Sequence, residues 1–331
     1  MEKIKIGVIG TGHLGKLHTK MFSQINNCNL VGVYDINNDV SKLIAEEFRV
    51  KYFNKIEELL EQADAVSVAA ITSEHYKLVK QALENDKHVF VEKPISSTIT
   101  EAEELVKLSN DRKLNLQVGH IERFNPALLA LEKYISNPMF IQTDRLAQFN
   151  PRGTDVAVVL DLMIHDIDII LSLIKSKVKN IEASGVAVVS DNIDIANARI
   201  SFENGAIANV TASRISQKKM RKMRIFQKDT YLSLDFVTGT SEVYRLVPSN
   251  EKVASHTISF GEIGIGETKK MVIYEQPQIK EVNALKYELE LFVNSINNKT
   301  KPLVAGEDGH RALKIADLIL KKIEESKTGQ L

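Results

Sequence analysis

Tryptophan is absent from the 331 residues, cysteine occurs once, and the charges cancel, with 43 lysines and arginines against 43 aspartates and glutamates. A single thiol, Cys28, cannot close an intramolecular disulfide or furnish a Cys-rich zinc or iron–sulfur site. It fits a reducing compartment. Zero net charge argues against a nucleic-acid binder, which carries a basic excess. No run of 18 apolar residues occurs, so no membrane span is expected. Met1 to Gly10 reads as a strand entering a glycine turn, without the apolar core or cleavage site of a secretory signal. The expected setting is the cytoplasm. The length points to two domains, large enough to need no disulfide or metal staple.

What is there is a rhythm. Apolar runs at Lys5–Ile9, Leu30–Tyr34, Ala65–Ile71, His88–Val91 and Asn115–Val118 alternate with helical patterns. These patterns run from Gly15 to about Ile25, then over Asn38–Phe48, Glu74–Asn85 and Thr100–Asp111. In the second of them Val40, Leu43, Ile44 and Phe48 are expected on the inward face. This alternation predicts βαβ units and a parallel sheet whose strands are buried on both faces. After about residue 120 the pattern changes. Asn125–Ile135 and Asp155–Ile174 read as helices. Strand-like segments follow at Ile181–Ser190, Ile195–Phe202, Ala206–Ile215, Met223–Lys228, Tyr231–Asp235, Glu242–Val247 and Lys270–Tyr274. Short turns between them predict a large, mainly antiparallel sheet. Glu281–Asn297 and Glu307–Glu325 return to helix. The expected division is 1–120 and 121–331, an α/β doubly wound domain and an α+β domain with an open sheet. The helix at 307–325 is free to pack back on the first.

Gly10-Thr11-Gly12-His13-Leu14-Gly15 is a G-x-G-x-x-G motif placed between a strand and a helix, as dinucleotide binding requires. Gly10 permits the tight turn, Gly12 removes the side chain that would block a pyrophosphate, and Gly15 lets the helix approach the strand. Amides at the helix N-terminus then face the phosphates. Asp35 stands 20 residues after Gly15, at the end of the second strand, where an acid binds both ribose hydroxyls of NAD. It would repel the 2′-phosphate of NADP, and Asn37 and Asn38 bring no compensating charge. The expected cofactor is NAD on a Rossmann domain.

His88-Val89-Phe90-Val91-Glu92-Lys93-Pro94 closes the fourth βα unit. With the fingerprint, it resembles the glucose–fructose oxidoreductase/inositol dehydrogenase (Gfo/Idh/MocA) family over essentially the whole chain. The resemblance implies that Thr72, His75 and Glu92 belong to the cofactor side. Many members have a proline near Ile71 and Thr72; this chain does not. It also gives Lys93 a place beside the nicotinamide and the reacting hydroxyl, where an ammonium favours developing alkoxide character. Pro94 stiffens the turn that aims it.

The second signature is Asp161-Leu162-Met163-Ile164-His165-Asp166-Ile167-Asp168. Asp161, His165 and Asp168 stand at i, i+4 and i+7, one helical face. Polar groups in so apolar a segment are costly to bury without partners. The spacing resembles the family's Asp-x-x-x-His catalytic pair. Histidine accepts a hydroxyl proton near neutral pH. Asp161 either orients the imidazole or contacts the sugar, Asp168 anchors the helix or supports the site, and Asp166 points elsewhere. No H-E-x-x-H or comparable ligand cluster accompanies them, so no metal is expected.

Gly119 to Pro126 and Phe149 to Asp155, taken with the Asp161–Asp168 stretch, resemble the branch whose members oxidise the 3-hydroxyl of UDP-N-acetylglucosamine. Arg123 and Arg152 can each grip a phosphate or carboxylate. Lys218, Lys219, Arg221, Lys222 and Arg224 form a basic run that suits either a diphosphate or a solvated sheet edge. His120 reads equally as a substrate contact and as an internal histidine at the junction; Tyr287 reads as core or interface. The expected function is NAD-dependent oxidation of a sugar hydroxyl. Oxidation of inositol or a free aldose is the alternative within the family, and a non-catalytic NAD-binding sensor or scaffold is the alternative outside it. One sheet face in the second domain is expected to be broad and apolar, pairing subunits into a homodimer or homotetramer.

Overall fold

A computed structural model of the chain describes residues 3–150, 156–251, 257–265 and 269–328. β1 (Ile4–Ile9), β2 (Cys28–Tyr34), β3 (Lys51–Phe53), β4 (Ala65–Val68), β5 (His88–Glu92) and β6 (Leu116–Gly119) form a six-stranded sheet. Their order is β3-β2-β1-β4-β5-β6, and every neighbouring pair is parallel. The crossovers are α1 (His13–Phe22), α2 (Asn38–Phe48), α3 (Ile56–Gln62), α4 (Thr72–Glu84) and α5 (Ile99–Asp111). This is a doubly wound sheet, and its order reverses beside β1, where such folds bind ligands outside the strand C-termini. Ile6, Val8, Val66, Val68, Val89, Phe90 and Val91 are fully buried, which is why their strands read as continuous apolar runs.

Local signals set several ends. Asn37 accepts hydrogen bonds from the amides of Asp39 and Val40 and starts α2. Thr98 and Glu101 form a reciprocal capping box at α5. Three local expectations need correction. In α2 Leu43 faces solvent, and the inward face is Ser41, Ile44 and Ala45. α1 stops at Phe22, short of Ile25. β3 and α3 were not expected, because three and seven residues are too few for a periodicity to declare itself.

The later chain builds a nine-stranded sheet. α6 (Pro126–Leu129) and a 3₁₀ turn at Glu132–Tyr134 replace the longer helix expected over Asn125–Ile135. β7 (Phe140–Leu146) follows, then a π-helical turn at Val159–Met163 that runs into α7 (Ile164–Leu173). The other strands are β8 (Val178–Val186), β9 (Ile195–Phe202), β10 (Ile207–Ser213), β11 (Met220–Gln227), β12 (Thr230–Asp235), β13 (Thr240–Pro248), β14 (Ile258–Ile263) and β15 (Lys270–Glu275). The order is β14-β15-β13-β12-β11-β7-β10-β9-β8. Among the described residues, β7 and β10 are parallel and the other neighbours antiparallel. β7 and β14 were not expected. β7 turns Thr143 and Arg145 inward, and β14 is exposed at all six positions, so neither shows an apolar alternation.

On the buried face of this sheet the π turn and α7 pack against β10, and α6 packs against β12 and β13. The opposite face, expected from the sequence to be broad and apolar, carries exposed aromatic and aliphatic side chains, Phe226, Ile258 and Phe260 among them. A row of aromatics runs across it in cross-strand register, Phe140, Phe226, Tyr231, Tyr244 and Tyr274, with successive ring centroids 4.8–5.7 Å apart, and Phe260 packs on Tyr244 and Tyr274. The rows on one side of it are polar, with Gln142 opposite Arg224 and Asp144 opposite Lys222, and on the other side Leu246 lies opposite Val272.

α8 (Ala284–Asn297) and α9 (Gly306–Thr328) complete the chain. Two compact units result: Met1–Phe124 with Asn283–Lys314, and Asn125–Val282 with Ile315–Leu331. The returning segment is therefore α8 and the first part of α9, and the division falls inside α9. Leu289, Phe292, Val293 and Ile296 of α8 pack with Ile6, Val8, Phe22 and Phe90 in one core cluster. Among the described residues no helix is long and apolar enough to cross a membrane.

Candidate active site

In the first unit the glycine turn is required by its own geometry. Gly10 has φ +87°, and a Cβ there would lie 2.8 Å from the Ala69 carbonyl. A Cβ on Gly15 would fall 1.8 Å from the Gly10 oxygen, so α1 can approach the turn only with glycine. Gly12 differs, because a Cβ there meets nothing within 4 Å. The protein itself does not demand glycine at this position, whereas a diphosphate approaching the backbone would. No side chain caps the N-terminus of α1, which leaves the first-turn amides to an anion. His13 and Leu14 occupy that first turn and are exposed.

The Asp35 carboxylate closes the cradle from the end of β2. Oδ2 accepts the Thr11 amide at 2.6 Å and the Thr11 hydroxyl at 3.0 Å, and Oδ1 accepts the Asn37 amide at 2.9 Å. A carboxylate has about four acceptor sites, so Oδ1 retains capacity for a ribose hydroxyl. The residues present thus fit a dinucleotide.

The Glu92-Lys93-Pro94 turn sits at the end of β5, and its Lys93–Pro94 peptide is cis. Glu92 faces Gly119 in β6, where a Cβ would lie 3.0 Å from the carboxylate. Glu92 Oε1 is 2.9 Å from His18 Nε2, and Oε2 accepts the Lys93 amide at 3.3 Å. Burial pushes the Glu92 carboxyl upward, but the hydrogen bond and charge of His18, then the charge and amide of Lys93, hold it below the ordinary carboxylate value. His18 Nδ1 is 2.8 Å from the Ser67 hydroxyl. On the other side of the turn, His75 Nδ1 lies 2.7 Å from the Pro94 carbonyl and Nε2 3.1 Å from the Ala70 carbonyl. His75 is 1 % exposed, and both its ring nitrogens face backbone. Thr72 opens α4, and its carbonyl is 3.4 Å from the Ser97 hydroxyl.

His120 follows β6 and is almost fully buried. Arg123 has an internal carboxylate, with its Nη2 3.6 Å from Asp308. Tyr287 is half-buried and meets Phe124 edge to face at 6.0 Å.

In the second unit Asp161 and His165 are half-buried, whereas Asp166 and Asp168 are buried. Asp161 lies in the π turn and His165 in the α-helix after it. The i→i+5 bonding of a π turn widens the spiral, so their angular offset is not that of a regular helix. Such turns recur at functional sites. Asp166 points away from this pair, as expected. It takes Arg145 in a bidentate bridge, Nε to Oδ2 at 2.7 Å and Nη2 to Oδ1 at 2.9 Å, with both side chains 2 % exposed. Arg152 lies outside the described residues. The basic run does not form one patch. Arg221 shares a face with buried Met223 and Ile225, while Lys222 and Arg224 lie on the opposite face.

The chain entering the π turn is held by Arg214, which donates to the Val156 carbonyl and lies 3.8 Å from Asp194. Asp194 accepts the amides of Val188, Val189 and Ser190 and the Ser190 hydroxyl. Burial raises its pKa, but these bonds outweigh that and bring it from 3.8 to about 2. The folded state favours the carboxylate, so this stabilisation is full above 3.8 and is lost as pH falls toward about 2. Asp194→Asn should therefore lower stability at neutral pH and remove part of the loss across that window. Urea unfolding against pH checks this, and parallel curves for the two proteins would refute it.

His18, Ser67, Arg145, Asp194 and Arg214 were not singled out from the sequence. A histidine three positions after the last fingerprint glycine, on the inward side of α1, was the available signal for His18.

Residues 4–120 match the family model described as an oxidoreductase family with an NAD-binding Rossmann fold. Residues 138–232 match the GFO/IDH/MocA C-terminal domain. The chain is 34% identical over 317 residues to the UDP-N-acetylglucosamine 3-dehydrogenase of Acidithiobacillus ferrooxidans, covering 96% of each. A solved structure of that enzyme superposes with a TM-score of 0.87, covering 98% of this chain and 99% of that one. Myo-inositol 2-dehydrogenase of Thermotoga maritima is 24% identical over 347 residues, covering 99% of this chain and 98% of its own. Scyllo-inositol dehydrogenase of Lactobacillus casei, solved with NAD(H) and scyllo-inositol, shares the fold with a TM-score of 0.76 at 21% identity, covering 98% of each chain. A nucleotide cradle, a Glu-Lys-Pro turn and an Asp-x-x-x-His helix thus occur in a chain matched end to end by dehydrogenases: it belongs to the Gfo/Idh/MocA family of NAD-binding oxidoreductases.

Proposed function

We propose that the protein oxidises C3 of UDP-N-acetylglucosamine, or of a closely related nucleotide sugar, to the 3-keto sugar, with NAD as its cofactor in the cytosol. The observation that carries this reading is the full-length 34% identity to an enzyme of that activity. Bound NAD supplies the acceptor for the hydride leaving the carbinol carbon. His165 takes the hydroxyl proton as general base. Asp161 orients that imidazole or holds a neighbouring sugar hydroxyl. The Lys93 ammonium stabilises negative charge growing on the oxygen. Gly12 and the first turn of α1 hold the diphosphate, with Thr11, His13 and Leu14 in the same loop, and Asp35 takes the adenosine ribose. Burial raises the Cys28 thiol to about 11, so it is inert and asks nothing of an oxidising environment.

The test is NADH absorbance during incubation with UDP-N-acetylglucosamine, myo-inositol and glucose in parallel. A signal with the nucleotide sugar alone is expected. A signal with myo-inositol alone favours the second reading, to which the full-length resemblance to myo-inositol 2-dehydrogenase lends weight. Tight NAD binding with no turnover on any of the three would overturn these substrates in favour of a sensor or of another sugar.

Asp35 sets the preference for NAD over NADP. Asp35→Ser is expected to shift the ratio of kcat/KM toward NADP by removing the charge that opposes a 2′-phosphate. Tighter NADP than NAD binding by the unsubstituted protein would refute this. The aromatic row on the uncovered sheet face joins two subunits in a homodimer, from which a tetramer can be built. Its stacked, half-exposed rings supply the apolar area, and the flanking polar rows set the register. Light scattering that returns a monomer mass at micromolar concentration would overturn it.

A further inference from the structure

We propose that His18 and His75 are positioning residues that brace the Lys93 turn from its two sides. The proposal rests on the reading of Lys93 as a catalytic residue. Three consecutive positions are fastened. Before the lysine, the Glu92 side chain is held by His18 at 2.9 Å. At the lysine, the backbone amide returns to Glu92 Oε2 at 3.3 Å. After it, the Pro94 carbonyl is held by His75 at 2.7 Å. The bonds fix the backbone of the turn rather than the ammonium.

The two histidines reach the turn from different places. His18 lies on α1, the helix whose N-terminus forms the nucleotide cradle, and its second nitrogen rests on Ser67 of β4. His75 lies on α4, and its second nitrogen faces Ala70, just beyond β4. Both are essentially inaccessible to solvent, so their bonds are not traded for water. The brace therefore holds the lysine turn in register with the cradle and with the loop after β4. A carbonyl on each nitrogen of His75 means that a neutral ring donates to one of them and only a doubly protonated ring to both. Nδ1 is the nitrogen that faces the Pro94 carbonyl.

The atoms involved give the test. An asparagine amide reaches the position of Nδ1 and a glutamine amide that of Nε2. At position 75, Asn preserves the bond to Pro94 and Gln does not. At position 18, Gln preserves the bond to Glu92 and Asn does not. His18→Leu, His18→Gln, His18→Asn and the same three replacements of His75 are compared for hydrogen–deuterium exchange of the peptide covering residues 88–97, kcat, sugar KM, NAD affinity and melting temperature. Exchange should accelerate in both leucine variants and return toward normal in His18→Gln and His75→Asn only. In the same variants kcat should fall and recover together, with sugar KM little changed. Unaltered exchange in the leucine variants, or equal rescue by both amides at either position, overturns the brace. Should a leucine variant fail to fold, the Asn and Gln pair at that position decides alone. Absence of turnover in the unsubstituted protein overturns the dehydrogenase reading instead, and exchange still decides the brace.

Discussion

Lys93→Met and His165→Ala should each lower kcat by about 10²–10⁴-fold, the range lost with a positioned acid–base or electrostatic group. Methionine keeps most of the apolar stem of lysine and removes only the charge that would face the developing alkoxide. Alanine at 165 removes the imidazole, a side chain whose ordinary titration range suits it to take a proton near neutral pH. Neither residue belongs to the glycine cradle, so NAD affinity should survive in both variants. Fluorescence titration with NADH, beside steady-state kinetics on the nucleotide sugar, separates the two effects. Near-normal turnover in both variants would reject the assignment, and loss of NAD binding in step with turnover would move the lysine from chemistry to cofactor retention.

The largest effect on stability is expected at Asp166. Arg145 and Asp166 are each 2 % exposed and joined by two short hydrogen bonds. Asp166→Ala removes the bidentate carboxylate from a buried guanidinium, a loss of about 3–5 kcal/mol. For a unit of this size that corresponds to a fall in Tm of roughly 6–20 °C. The pair as a whole is worth less than this, because each charge also gave up its hydration. Arg145→Met combined with Asp166→Leu should therefore recover most of the loss. Thermal unfolding of the single and double variants checks both statements. A single variant that melts with the unsubstituted protein, or a double variant as weak as the single, would show that the bridge is not what holds α7 to the sheet.

What could be read from the sequence was whatever the chain encodes locally. Gly15 is demanded by the Gly10 carbonyl and Gly10 by its own positive φ, so the nucleotide turn was legible as a string. α2 came out with its true ends because Asn37 caps it, although Leu43 was assigned to the wrong face. The parallel strands were legible because burial on both faces leaves an uninterrupted apolar run. Distance along the chain hid the rest. β7 has an arginine pointing inward, which makes sense only with Asp166, 21 residues on. His18 and Glu92 are 74 positions apart. Arg123 read as a grip for phosphate, and nothing near it announced Asp308. The Asp161–His165 spacing was visible, but the π turn that alters its geometry has no signature in the composition.

The two-part first unit has a consequence for synthesis. Its β1, α1 and β5 leave the ribosome first, whereas α8, which supplies Leu289, Phe292, Val293 and Ile296 to their shared core, arrives only after the whole nine-stranded sheet. At ordinary elongation rates that interval is roughly 10–40 s. Throughout it Phe22 and Phe90 lack their covering helix, and the nascent chain carries an apolar seam that chaperones recognise. Completion of the nucleotide-binding half thus waits on translation of the other, so a prematurely terminated product carries the whole glycine fingerprint on an unsealed core.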